Sequence, residues 1–519
     1  MSLFLTGLYC ITSIIAMVMV LIFHMHMFQL NSYKTKEHTV WIKKNMGSII
    51  GKTIGFYLSI PILLLFGNPG LIIASILNLL TAAGNRPKKA KKPLVYTKRV
   101  QRMFITLGML YGAAAIVTFI LYKIVILTAL LLPLMGIFSG ALILLANTMN
   151  KPVETAINQK FIEEARKIIR EMPDLKVIGI TGSYGKTSVK YFLNKLLSAD
   201  YNVLMTPGNF NTTLGVVRTI REHLRATHQI FICEMGAKNI GDIKEICDLV
   251  EPDYGIITSI GPQHLESFGS VENVIKTKFE LAEAVSKDGI VFLNYDNEYI
   301  VNKTIQKKYI TYGVDNKNAD FLPYNLTVSR EGSVFSLKTP DGEEKTFSTR
   351  LIGKHNVLNI AGAIAVAYQL GVSMETLANQ VRRLESVPHR LQLINSGRGL
   401  IIDDAYNSNP SGAKAALETL GAFDGIRILV TPGMVELGEK QTELNRIFGQ
   451  QAAEYCDYIV LVGKKQTEPI QEGVRSKGYP ENRLFVVDDL QEGLSKVDAI
   501  KSEGKEKIIL LENDLPDNY

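Results

Sequence analysis

Residues 3–28 contain no charged side chain and are long enough to cross a bilayer as a helix, which takes about 20 apolar residues. Backbone in hydrocarbon must satisfy its own hydrogen bonds, so a run of this kind leaves the chain few alternatives to a helix. His24, Met25, His26 and Met27 continue the run where a cleaved leader would show small residues, so it reads as an anchor. Residues 53–85 are a second charge-free run, interrupted halfway by Gly67, Asn68, Pro69 and Gly70. That pattern fits one tilted helix with a break or two short helices joined by a tight turn. Residues 103–122 and 124–147 supply two more spans on either side of Lys123.

Charge is divided as sharply as hydropathy. Residues 1–150 hold 14 Lys and Arg against one acid, Glu37, whereas residues 151–519 hold 43 basic and 49 acidic residues. The overall +7 therefore hides a basic membrane part and an acidic soluble part. A nucleic-acid binder needs its basic stripe on the soluble domain, so nucleic acid is excluded as a partner. Residues 86–102 carry eight basic side chains (Arg86, Lys88, Lys89, Lys91, Lys92, Lys98, Arg99, Arg102) and no acid. Short basic loops stay on the cytoplasmic side, where they also meet anionic lipid headgroups. The loop with Lys34, Lys36, Lys43 and Lys44 is basic too. Five spans with an outside N-terminus put both loops inside if residues 53–85 form a hairpin; four spans with an inside N-terminus are the alternative. Four scattered cysteines (Cys10, Cys233, Cys247, Cys456) offer neither a zinc-type pair nor a disulfide framework.

Residues 151–173 read as a linker helix behind Pro152, with Ile157, Phe161, Ala165, Ile168 and Met172 at helical spacing. Then the apolar, strand-type run 176–181 leads into Gly182-Ser183-Tyr184-Gly185-Lys186-Thr187-Ser188 and a helical pattern. Strand, glycine loop and helix form the setting of a phosphate loop. Its backbone N–H groups face phosphates, Lys186 neutralises them, and Thr187 is placed to ligate magnesium. Only Ser183 and Tyr184 separate the glycines where the strict signature has four residues, so a tight turn with an incidental lysine stands as the plainer alternative.

The segments TPGNFNTTLG, EMGAKNIGDI, SIGPQHLESFGS, KTKFEL, GKHNVLNIAGAIA, HRLQ and DDAYNSNP follow in order. Together with the phosphate loop they resemble the Mur ligase family throughout residues 174–519. Within it they look most like the branch that joins D-alanyl-D-alanine to a UDP-muramoyl tripeptide. The resemblance implies an α/β fold with a central ATP-binding domain over residues 174–388. A Rossmann-like C-terminal domain would follow over 389–519, with an α-helical transmembrane region of four or five helices over 1–150 in front. It also implies an ATP-dependent, ADP-forming amide-bond ligase of bacterial cell-wall synthesis, which the spans and basic loops place at the plasma membrane with its catalytic part cytoplasmic.

Glu234 ends an apolar strand, where open α/β sheets place ligands, and a magnesium ion takes one or two carboxylates plus phosphate oxygens. The resemblance makes Glu234 such a ligand, with Thr187. It gives His264 a metal- or phosphate-side place and makes Lys278 the family's carbamoylated lysine, helping to hold a second magnesium. Gly182, Ser183, Gly185, Lys186, Thr187 and Ser188 would cradle ATP, with His355, Asn356 and Asn359 near adenine. Read as residues alone, the two asparagines could be helix caps. Arg390 would reach ATP phosphate across the domain junction, and Asp404 would face the ribose. Asn209, Asn211 and Thr212 would lie near the carboxylate substrate, and Tyr406, Asn407, Asn409 and Pro410 near the amino substrate. Two departures stand out: Ser259 occupies a position where the family usually has Asn, and Pro432 or Gly433 one where it usually has an acid.

The expected chemistry is acyl activation of a peptide carboxylate by ATP, then attack by an amino acid or dipeptide, with Lys186, Lys278, His264 and Arg390 as catalytic residues. An ATPase-driven transporter is a competing class, but the spans hold no acidic residue to mark an ion path. A non-catalytic scaffold would be expected to lose Lys186, Glu234 or Lys278, and all are present. A poly-γ-glutamate-synthase-like or folate-glutamylating relative is a further alternative. Membrane spans occupy the place of the family's uridine-gripping domain, which leaves a UDP-linked or a lipid-linked precursor as the acceptor.

Overall fold

A computed structural model describes residues 2–87, 92–120, 125–406, 408–502 and 504–514, and the chain divides near residue 160 into two compact units. Lys88, Lys89 and Lys91 of the basic loop, Lys123, and Asn407 of the amino-substrate block lie outside the described residues.

The first unit contains the helices α1 (Ser2–Leu30), α2 (Thr35–Lys44), α3 (Met46–Gly84), α4 (Lys98–Ile120), α5 (Val125–Ile137) and the start of α6 (Ser139–Arg170). Phe4–Leu30 and Met46–Gly84 are long and apolar enough to cross a membrane; the bent pair Leu131–Ile137 and Ser139–Arg170 adds a third if taken as one span. Gly67 breaks α3 with φ 55° and ψ −125°. The two halves fold back on each other: Asn85 Nδ2 donates to the Lys52 carbonyl at 2.8 Å, and a Cβ on Gly55 would lie 2.7 Å from the Leu77 carbonyl. Of the two readings of residues 53–85, the geometry takes the hairpin. Polar side chains tie the bundle: Asn78 donates to Ser13 at 2.8 Å, and Arg102 grips Glu154 at 2.6 and 2.9 Å.

Two boundaries differ from the sequence reading. The run 124–147 is not one straight span, since α5 and α6 meet at 77°. Nor does a new helix start at Pro152, which stands inside α6. Proline removes one backbone bond and strains a helix, yet α6 runs on through it to Arg170. In the second unit Ala165 is buried in the core, with Phe161, Ile162, Ile168, Ile169 and Met172 packed against it.

The second unit opens with strands β1 (Lys176–Thr181), β2 (Val203–Met205), β3 (Ile230–Glu234), β4 (Tyr254–Ile257), β5 (Ile290–Asn294) and β6 (Tyr309–Tyr312). They form a parallel sheet in the order β2-β3-β1-β4-β5-β6. Their nearly unbroken apolar runs suit a sheet covered on both faces. Helix α7 (Lys186–Leu197) follows β1 and packs Val189, Phe192, Leu193 and Leu196 into one core with the helix Lys354–Gln369. The order reverses at β1, between β3 and β4, which makes the carboxyl end of β1 the place for a ligand. Strands β7 (Leu322–Ser329), β8 (Gly332–Lys338) and β9 (Glu344–Thr349) form a small antiparallel sheet.

The C-terminal sheet comprises β10 (Gln392–Ser396), β11 (Gly399–Asp404), β12 (Ile426–Thr431), β13 (Tyr458–Val462), β14 (Leu484–Val487) and β15 (Lys507–Glu512). Its order is β10-β11-β15-β12-β13-β14, and only the edge strand β10 is antiparallel to its neighbour. The last strand of the chain thus lies in the middle, and its tip falls beside that of β11.

Candidate active site

The turn between β1 and α7 needs its glycines. Gly182 has φ 151° and Gly185 φ 81°; a Cβ would lie 2.1 Å from Thr258 Oγ1 at the first and 2.8 Å from Asn359 Oδ1 at the second. The loop is fastened to the end of β4: the Ser183 N–H donates to the Ser259 carbonyl at 2.6 Å, and the Ser183 hydroxyl to the Gly261 carbonyl at 3.1 Å. The Tyr184 hydroxyl donates to the Pro262 carbonyl at 3.1 Å. Ser259, the departure from the family pattern, holds the Tyr184 carbonyl with its own hydroxyl at 3.4 Å. Lys186 folds over the loop and donates to the carbonyls of Gly182 at 2.7 Å and Ser183 at 3.3 Å. Burial pushes its ammonium down to about 8, with Glu234 opposing the shift and Arg390 adding to it. Ser188 lies in the first turn of α7, half-buried.

Glu234, at the tip of β3, is the hub of the site. Its Oε1 accepts from the Thr187 hydroxyl at 3.2 Å and from Asn211 Nδ2 at 3.1 Å. Its Oε2 lies 2.9 Å from the ammonium of Lys190, and both side chains are almost wholly buried. Lys190 also donates to the Gly208 carbonyl at 2.6 Å, so one lysine fixes both the carboxylate and the loop carrying Asn209 and Asn211. The Asn211 N–H bonds the Asn209 carbonyl at 2.8 Å, and Thr212 caps the helix Thr213–His223. Burial alone would raise the Glu234 carboxyl; Lys190 and Lys186 outweigh it and hold the group below the usual carboxylate range. Lys190 was invisible as a site residue in the sequence. Its only signal is spacing, since positions 186, 190, 193 and 197 share one face of α7.

The donor set fits magnesium. A hydroxyl and a carboxylate stand side by side at the phosphate loop, and magnesium takes its remaining ligands from phosphate and water rather than from an all-protein cage. Among the described residues no cluster of three His, Cys, Asp or Glu side chains forms such a cage.

His264 and Lys278 come within electrostatic reach of Lys186. His264 has φ 52°, and its Nδ1 lies 2.5 Å from Glu436 Oε2, across the junction between the two halves of the unit. Burial lowers the imidazole's affinity for a proton, against the pull of Glu436. Burial would raise Glu436, but His264 and Lys238, whose Nζ is 3.5 Å away, bring it down to about 2. Glu436 follows the Pro432-Gly433 departure closely in the chain, and no spacing or motif assigned it a role. Lys278, on the helix Val271–Ala284, is 2% exposed and makes no hydrogen bond or ion pair among the described residues. Burial first, then Lys186, forces its ammonium well below the ordinary lysine range.

The helix Lys354–Gln369 treats its polar residues differently. Asn359 meets the phosphate loop at Gly185, as above, whereas Asn356 donates to the Ile352 carbonyl at 2.8 Å. Burial lowers the His355 imidazole to about 4, so it stands neutral at physiological pH. In the C-terminal domain Arg390 stacks over the Tyr406 ring, 4.5 Å from its centroid. Asp404 Oδ1 accepts from the Leu391 N–H at 3.2 Å, and Asp403 pairs with His389 at 2.8 Å. Asn409 caps the helix Pro410–Gly421 by accepting from the Gly412 N–H at 2.8 Å, and Pro410 begins that helix.

Residues 180–367 match the Mur ligase middle domain, and residues 389–511 match the Mur ligase glutamate ligase domain. The chain belongs to the Mur ligase family. It is therefore an ATP-dependent, ADP-forming amide-bond ligase, which sets aside the transporter and scaffold readings. It is 30% identical over 329 residues to the UDP-N-acetylmuramoyl-tripeptide--D-alanyl-D-alanine ligase of Escherichia coli (strain K12), covering 61% of this chain and 72% of that protein. With the ligase of the same name from Bacillus subtilis (strain 168) it shares 34% identity over 294 residues, 56% of this chain and 63% of that one. Among solved structures, MurF from Acinetobacter baumannii aligns with a TM-score of 0.64 at 27% identity, over 70% of this chain and 78% of its own. The fold is MurF-like, and both matched domains lie in the second unit.

Proposed function

We propose that this ligase activates the terminal carboxylate of a muramoyl peptide as an acyl phosphate and adds a D-alanyl-D-alanine-like dipeptide, on a UDP-linked or lipid-linked precursor held at the membrane. One observation carries the reading. Lys186, Glu234, His264, Lys278 and Arg390, drawn from both halves of the second unit, gather around one phosphate loop. The dipeptide and the muramoyl acceptor come from the relatives' substrates.

A carboxylate oxygen of the acceptor attacks the γ-phosphorus, and the bond to the β-γ bridging oxygen breaks to release ADP. The amine then attacks the acyl carbon, and phosphate leaves as the C–N bond forms. Lys186 is the fixed charge that leaves its loop carbonyls for phosphate oxygens, and Arg390 faces the same charge from the C-terminal domain. Magnesium, held by Thr187 and Glu234, would supply charge neutralisation at the phosphates. Lys278 suits carbamoylation because only a neutral amine adds carbon dioxide, and burial, with Lys186 beside it, favours the neutral form against the weaker pull of Asp242 and Glu280. The resulting carboxylate would join His264 on the metal side.

Helices of membrane-spanning length in front of the ligase support a confined acceptor, since confinement raises effective concentration without a new contact. The test uses the purified full chain in lipid with ATP, D-alanyl-D-alanine and either a UDP-muramoyl or a lipid-linked tripeptide, read by ADP release and product mass. No product from either acceptor would refute the reading. Undiminished activity of residues 151–519 alone on the UDP-linked peptide would defeat its lipid-linked form.

A further inference from the structure

Parallel pairing of β11 with β15 sets Asp404 opposite Glu512 at the carboxyl ends of both strands. Register partners on neighbouring strands, about 5 Å apart, turn their side chains to the same face. Glu512 is 1% exposed. Its Oε1 accepts from the Ser408 hydroxyl at 2.5 Å, while its Oε2 is buried with no donor among the described residues. The next residue continues the arrangement: Asn513 Oδ1 accepts from the Ser408 N–H at 3.2 Å, and its Nδ2 donates to the Gly433 carbonyl at 2.6 Å. The end of β15 therefore props up, from within, the loop that carries Tyr406, Ser408 and Asn409.

The charged groups facing this pair are few. Asp403 lies beside Asp404 but is tied to His389, and Arg390 reaches both carboxyls while stacked on Tyr406. Two adjacent buried carboxyls cannot both ionise cheaply; one shared proton turns one acid into a donor and satisfies the orphaned oxygen. Ser408 already donates to Oε1, so Oε2 is left as the oxygen that carries the proton.

We propose that Glu512 is a positioning residue that holds a proton and donates it to the Asp404 carboxylate, joining Asp404 and the loop through Ser408 into one unit. The placing of Asp404 on the nucleotide side and of the loop on the amine side rests on the ligase reading above. Burial, the largest influence on both groups, agrees: it raises the Asp404 carboxyl to about 6 and Glu512 well above the carboxylate range, with Arg390 opposing.

Glu512→Gln keeps both a donor and an acceptor, whereas Glu512→Ala removes the proposed donor to Asp404 and the acceptor of the Ser408 hydroxyl. In the full chain Glu512→Ala is expected to raise the KM for ATP and for the amine about tenfold each, and Glu512→Gln to restore most of that loss. Difference infrared spectra of wild type against Glu512→Gln should contain the carbonyl band of a protonated carboxylic acid, shifted in deuterated water. A missing band, a Gln variant as impaired as the Ala variant, or an Ala variant equal to wild type would each overturn the proposal. If the Ala variant fails to fold, the infrared band alone decides. Titration with ADP reads nucleotide binding without ligation, so failure of the proposed substrates leaves this test standing.

Discussion

Lys190→Met should strongly destabilise the protein. Methionine nearly matches lysine in length, so little void forms and the main loss is the charge. Lys190 is fully buried, 2.9 Å from a Glu234 oxygen that is itself buried, and it also holds the Gly208 carbonyl at 2.6 Å. Removing one partner of a buried ion pair costs about 3–5 kcal/mol, because the other charge stays behind uncompensated. At roughly 2–4 °C per kcal/mol for a domain of this size, the melting temperature should fall by about 6–20 °C. Adding Glu234→Gln to the Lys190→Met background removes the stranded charge and should recover most of the loss. The pH dependence has a definite sign. Glu234 lies below its ordinary value of 4.5 in the folded protein, so the pair's contribution is present above that pH and is lost as pH falls through the depressed value. The gap between wild type and Lys190→Met should therefore close in acid. Thermal unfolding of the full chain, followed by near-UV circular dichroism at neutral and acidic pH, measures all three. A single variant within about 1 kcal/mol of wild type, or a double variant no more stable than the single, would refute the buried-pair argument.

Lys186→Ala should abolish ATP-dependent ligation while leaving the fold and membrane insertion intact; near-normal turnover by a folded variant would remove the phosphate loop from the mechanism. Lys278→Ala should be inactive and partly rescued by short carboxylic acids that stand in for the carbamate, whereas full activity would make Lys278 a packing residue. A cysteine at position 90, in the basic stretch, should resist membrane-impermeant maleimide in intact cells and label after lysis. Labelling from outside would reverse the topology.

Local chemistry is legible in the sequence and long-range pairing is not. Glycines between an apolar strand and a helix mark a tight strand-to-helix turn, because φ above zero and close approach leave glycine little competition, and the ordered blocks behind it are what separate a phosphate loop from a plain turn. The break at Gly67 is equally plain, though contacts between the two halves, Asn85 with Lys52 and Gly55 against Leu77, are what choose the hairpin over a bent helix. Asn356 and Asn359 show the limit of spacing: they share a face, yet one closes its own helix start and the other meets Gly185. Pro152 misleads because a proline usually begins a helix or ends one, and here it stands inside α6. Glu436 and Glu512 lie beyond reach for another reason. Their partners His264 and Asp404 are more than a hundred positions away, and only domain packing and the central place of the last strand bring them together.

The side chains expected to bind ligand already bind one another, and this shapes how the site must work. Lys186 holds two loop carbonyls, Thr187 and Asn211 hold Glu234, and His264 holds Glu436. On the proposed reading, nucleotide and metal would enter by exchange, and exchanging one hydrogen bond for another is close to neutral, about 1 kcal/mol either way. Affinity must come instead from charge that the internal contacts leave unbalanced. The crowding of Lys186 by Arg390, and of Lys278 by Lys186, is such an imbalance, and phosphate oxygens or a carbamate would relieve it. Lys190 takes no part in the exchange. Its charge is committed to Glu234 and a further donor direction to Gly208, so it keeps the carboxylate in place while the other donors are replaced.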